Sequence, residues 1–179
     1  IYNHSGKLTL KNCLVSKNVS TNSNNEGKGG GIYLDEGTAE TTIHVGTVIS
    51  QNMATKGTGS GAGGGIYICK GNTDVTISDA FIRNNIAVDN VAGNAIAQGG
   101  GIYNEQRNLT IRNTEIAQNT ATIGEGNGFG GGIYHTSLYD SEKQREITLD
   151  NSLISGNTAF NNTDFVAIGT PVKGFGGGI

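Results

Sequence analysis

Apolar and polar residues alternate at period two in short runs that recur along the chain. Leu8 and Leu10, Val75 and Ile77, Leu109 and Ile111, and Ile147 and Leu149 each flank a threonine. Such alternation sends one face of a short strand inward and the other outward, and the β-branched content suits strands. No unit has the apolar spacing of an amphipathic helix. A second signal closes each run: LTLKNCLVSKN, TIHVGTVISQN, VTISDAFIRNN, LTIRNTEIAQN and ITLDNSLISGN. In every copy an apolar residue stands three positions before an asparagine, giving Asn18, Asn52, Asn85, Asn119 and Asn157. Two positions later comes a small residue: Ser20, Ala54, Ala87, Ala121 or Ala159.

A third signal is glycine. GGGIY occupies 29–33, 63–67, 99–103 and 130–134, while the chain opens on Ile1-Tyr2 and closes on GGGI at 176–179. One unit of this kind cannot bury its apolar face alone, but stacked units can. The expected fold is all-β: a single right-handed parallel β-helix over 1–179, with about five coils of three short strands. The hand follows the rule for parallel crossovers. Coils about 4.8 Å apart turn each position into a column. The glycines Gly30, Gly31, Gly64, Gly65, Gly100, Gly101, Gly131, Gly132, Gly177 and Gly178 are then corner pieces, where φ > 0 is cheap and a side chain would strike the next coil. The five asparagines form a structural ladder, since Asn tolerates a left-handed bend and can bond to its copies above and below.

Composition narrows the partners. The chain has 179 residues, 30 of them Gly, and a net charge of -3. With no basic cluster, nucleic acid is a poor candidate and is not expected as a partner. No apolar run approaches the ~20 residues of a membrane-spanning helix. Cys13 and Cys69 lie two coils apart on different sides, beyond disulfide reach, so both are expected free. His4, His44 and His135 share no ligand spacing, and neither a metal nor another cofactor is expected. GTGSGAGG contains a GxGxxG match without the strand–helix context that gives the motif meaning.

The GGGI copies, together with VSKN, ISQN, IRNN, IAQN and ISGN, resemble the GGA[ILV] and FxxN repeats of the bacterial polymorphic outer-membrane proteins and related β-helix adhesins. Gly stands here for Ala, and Ile or Val for Phe. What the resemblance implies is a cell-surface or extracellular location and a role in adhesion, within a longer chain. The partners it implies are adjacent coils and a host receptor or polysaccharide.

Three places could carry chemistry. The column Tyr2, Tyr33, Tyr67, Tyr103 and Tyr134 points outward if the neighbouring Ile points in, and would offer either sugar-stacking rings or a self-supporting aromatic ladder. The loops after GGGIY hold Asp35, Glu36, Lys70, Glu105 and Arg107, and a longer segment at 135–146 mixes signs, as a solvated hairpin does. A lyase or hydrolase would need carboxylates converging in a groove. Thr9, Thr76, Thr110 and Thr148 face out, with His44 expected to interrupt them in the second coil. The apolar stretch 160–175 is expected to pack on the helix or offer a partner patch. The favoured function is a non-enzymatic surface module. Alternatives are a filament subunit stacking end-to-end, since the chain begins and ends at the same point of the repeat, and a polysaccharide-active β-helix.

Overall fold

The structure is a computed structural model and describes residues 1–89, 95–124, 126–136, 145–161 and 174–179. It is a parallel β-solenoid with no helix among the described residues. Four sheets run along it. Sheet B stacks Leu14–Ser16, Val48–Ser50, Phe81–Arg83, Glu115–Ala117 and Leu153–Ser155. Sheet C stacks Val19–Thr21, Met53–Thr55, Ile86–Asp89, Thr120–Ile123 and Thr158–Asn161. Sheet D holds the short segments before each GGG corner, from Gly27–Lys28 to Gly174–Phe175. Sheet A holds the IY and LTI segments, which fuse into single strands at Tyr2–Lys11 and Ile32–His44. Sheets B, C and D are each five strands deep, so four turns lead from the first strand of a stack to the last. Each coil thus visits four sheets; sheets C and D carry too few apolar residues to announce themselves as strands.

The interior has two parts. Sheets A and B enclose a column-built aliphatic core, in which Ile32, Ile43, Ile49, Ile66, Ile77, Ile82, Ile102, Ile111 and Ile116 have no exposed surface. Sheets C and D meet over a thin core of small residues, Ala87, Ala95, Ala97 and Ala121 with Val88. A Cβ on Gly61 would lie 2.2 Å from the Ala87 carbonyl oxygen, and one on Gly27 2.0 Å from that of Ala54. That is why the residue two positions past each ladder asparagine is small.

The left-handed backbone does not fall where the sequence suggests. In each glycine triplet the first residue carries it: Gly29, Gly63, Gly99, Gly130 and Gly176 have φ between 57° and 64°. The second and third are glycine for want of space. A Cβ on Gly30 would sit 2.5 Å from the Met53 carbonyl carbon, and one on Gly31 2.9 Å from the Asn52 amide nitrogen. Likewise the ladder asparagines are not at the bend; the residue before each one is, with Lys17, Gln51, Asn84 and Gln118 at φ 56–58° and Gly156 at 60°. Threonine supplies the remaining difference. Thr42, not His44, pairs with Thr9 and Thr76, so the outward threonine column is unbroken through Thr110 and Thr148, while His44 pairs with Lys11.

Candidate functional site

The asparagine ladder comes first, because it fixes the register of everything outside it. Asn85 Oδ1 accepts from both the backbone N–H (3.0 Å) and the side-chain amide (3.0 Å) of Asn52. Its own amide donates to Asn119 Oδ1 at 2.9 Å and to the Ile49 carbonyl at 3.0 Å. Both lone pairs and both hydrogens are used, as a buried amide requires. Asn52 and Asn119 repeat the arrangement, and Asn18 and Asn157 are its outer members. The third glycine of each triplet packs on these amides: Gly65 faces Asn85, Gly101 faces Asn119 and Gly132 faces Asn157. The two repeated motifs are therefore the two sides of one contact.

Around the GGG corner, on sheet A, the in-register Tyr column is stacked ring on ring. Centroid separations run 5.2 Å from Tyr2 to Tyr33, 5.0 Å to Tyr67, 4.7 Å to Tyr103 and 5.6 Å to Tyr134. The Tyr33–Tyr67 and Tyr67–Tyr103 planes are within 1° and 8° of parallel. Of the two arrangements expected for the column, sugar-stacking rings or a self-supporting ladder, the interior rings form the ladder. Tyr67 is 3% exposed, with Lys28 Nζ 5.3 Å from its ring centroid. A sugar ring cannot stack where another phenol already lies. Tyr33 and Tyr103 are half-buried.

The hydroxyls of Tyr2 and Tyr67 reach one coil on, to the residue two positions past the next tyrosine. Tyr2 donates to Asp35 Oδ2 at 2.7 Å and Tyr67 to Glu105 Oε2 at 3.0 Å, while Cys69 holds the matching position for Tyr33. Burial raises the Tyr33 and Tyr67 phenols well above the ordinary range, with nearby thiol and carboxylate charge adding to it. Tyr103 is pushed up to about 12, chiefly by burial and then by Glu105. Cys69 lies 3.8 Å from Glu105 Oε2, and burial followed by Glu105 raises its thiol too. A thiol held protonated is a poor nucleophile. At the other end, Asp35 accepts from the ring of His4 (2.6 Å), from Tyr2 and from the Glu36 N–H, and is lowered to about 2. It is an ionised acceptor rather than a general acid.

Arg107 departs most from the solvated-loop reading. It has no exposed surface. Its Nε donates to the Cys69 carbonyl (2.7 Å), one terminal nitrogen to the Thr38 carbonyl and Thr73 Oγ1, and the other to the Asp35 and Glu36 carbonyls. All five donors are used, and they bind chain segments 34 to 72 residues away. Gly71 leaves the room: a Cβ there would fall 2.4 Å from the guanidinium. The signal was only a charge after GGGIY, which does not distinguish a pin from a surface residue. Asp35, Glu36 and Glu105 are joined with neighbouring coils, Glu36 through Lys70 at 3.5 Å. No group of three or more His, Cys, Asp or Glu side chains suited to a metal occurs among the described residues. Cys13 and Cys69 are free. Residues 137–144 and 162–173, which include most of the mixed-charge segment and Phe165, Val166 and Ile168, lie outside the described residues. Comparison with family models, with curated proteins and with solved structures returns no match.

Proposed function

We propose that the chain is a non-enzymatic binding module of the extracellular or cell-surface kind, a rigid solenoid that presents a patterned side to a partner surface such as a receptor or polysaccharide. The observation that carries this reading is the outer face of sheet B. Leu14 is 70% exposed, Phe81 39% and Leu153 56%, in one column with half-buried Val48 and Glu115. The adjoining column is small at Ser16, Ser50, Ala117 and Ser155, while Arg83 lays its guanidinium 5.7 Å from the Phe81 ring centroid. Apolar side chains aligned on a flat, hydrogen-bonded sheet favour contact with a partner. Asp35, Glu36 and Glu105, by contrast, are engaged in bonds between coils. The adhesin-like repeat motifs agree with this reading.

The test is a Phe81→Lys, Leu153→Lys double variant of the chain, compared with wild type for retention on immobilised host-cell extracellular matrix and on polysaccharide arrays. Both positions point to solvent, so the circular dichroism should not change. Loss of retention supports the module. Equal retention by the two proteins, or depolymerisation of an arrayed glycan by wild type, overturns it.

A further inference from the structure

The tyrosine column places an acceptor, Glu105, on the phenolic proton of Tyr67, beside the ring of Tyr103. We propose that the column is a site of oxidative modification, at which a one-electron oxidant couples Tyr67 to Tyr103 and so fastens neighbouring coils covalently.

Three observations converge on that pair. Its rings are the closest in the column, 4.7 Å between centroids and 8° from parallel. Backbone pairing holds Tyr67 and Tyr103 in register as direct neighbours in adjacent parallel strands, so no chain movement is needed to bring them together. Glu105 Oε2 accepts the Tyr67 hydroxyl at 3.0 Å and takes the proton as the electron leaves. Because burial keeps these phenols protonated, oxidation must be coupled to such a transfer. Tyr103 is only half-buried, which gives a diffusing oxidant its access, and ring overlap shares the hole with Tyr67.

The chemistry balances as follows. Each phenol gives one electron to one equivalent of the oxidant, of the metal-centred or peroxidase-intermediate class. Tyr67 loses its proton to Glu105, and Tyr103 loses its proton to water. The two phenoxyl radicals form one carbon–carbon bond between ring carbons ortho to oxygen. The two ortho hydrogens then move to the phenoxyl oxygens through solvent, restoring both aromatic rings. The product is lighter by two hydrogens. Cys69, 3.8 Å from the same carboxylate, is the competing reductant.

The probe is a photogenerated ruthenium(III) polypyridyl oxidant with persulfate, applied to the whole chain and followed by peptide mapping. The expected product joins the Tyr67 and Tyr103 peptides, is two hydrogens lighter and forms in the same yield on tenfold dilution. It persists in Tyr2→Phe and in Cys69→Ala, and is lost in Tyr103→Phe. The coupled protein should melt at a higher temperature, since the link closes a long loop. Links only between chains that vanish on dilution would overturn the proposal. So would a Cys69 thioether or oxidised Cys69 with both tyrosines intact. Mapping of wild type decides between these even if a variant fails to fold.

Discussion

Replacing Asn85 by alanine tests whether the ladder holds the coils or merely accompanies them. The substitution removes an acceptor of two bonds and a donor of two. Asn119 Oδ1 keeps its bond from the Asn85 backbone N–H, and so is not orphaned. Two buried donors are: the Asn52 N–H and one Asn52 amide hydrogen, while the Ile49 carbonyl loses one of its bonds. A buried group left unpaired costs about 1–3 kcal/mol, so even the low end sums to about 2 kcal/mol. The lost side-chain volume adds to that, because Gly65 cannot fill it. Against a typical total of about 5–15 kcal/mol, this is a large fraction. Asn18→Ala is the control. Its side chain donates to Asn52 Oδ1 and to the Ser16 carbonyl at an exposed position, so the expected loss is below about 1 kcal/mol. Urea unfolding followed by circular dichroism measures both. Coils of a solenoid can open separately, so the comparison is of midpoints at an unchanged slope. If the two variants fall within about 1 kcal/mol of each other, the fourfold bonding of Asn85 does not carry the stability argued for it.

Arg107→Ala should cost about 3–5 kcal/mol, as breaking a buried charged network does, because four carbonyls lose donors and a cavity opens beside Gly71. Arg107→Lys should recover only part of that in a thermal melt, since an ammonium cannot reproduce the five-donor fork; full recovery would mean that charge rather than geometry matters. Asp35 gives a pH prediction. Its folded pKa, about 2, is below the ordinary 3.8, so its contribution is complete above the ordinary value and is lost as pH falls through about 2. A carboxyl NMR titration should place the midpoint near 2 in wild type and higher in His4→Ala. A wild-type midpoint near 3.8 would refute the His4–Asp35 bond.

Repetition decides what could be read from the sequence. A feature present in every coil, such as the glycine triplet, the asparagine or the alternating LTI, rises above the background because five copies agree. These gave the parallel solenoid and the stacking of Asn and Tyr columns. What occurs once has no such support. Arg107 looks like any other charge in a loop, and its burial depends on Gly71 and on carbonyls two coils away. Sheets C and D were missed for a different reason: their inner residues are mostly Gly, Ala and Thr, which carry little apolar periodicity. The left-handed positions were displaced by one residue because several side chains, among them Lys17, Gln51 and Gln118, accept a positive φ that glycine or asparagine would adopt more easily.

That displacement explains why the two motifs recur together. At the bend before each ladder position the residue is free to vary, since its side chain points away and its strain of roughly 1 kcal/mol is tolerated. At the ladder position, only an amide can supply two acceptor sites and two donors across the coil step. The amide then occupies the space opposite, and the opposing residue must lack a Cβ. The third glycine is thus dictated by the asparagine, and the second by the backbone of the residue that follows it: Met53 for Gly30, Ile86 for Gly64. Gly64→Ala would bring a methyl to 2.4 Å of the Ile86 carbonyl group and of the Gly100 oxygen, both backbone. No rotamer relieves that contact. Neither the glycines nor the asparagine can change alone, and the thin core between sheets C and D is the consequence of the pair.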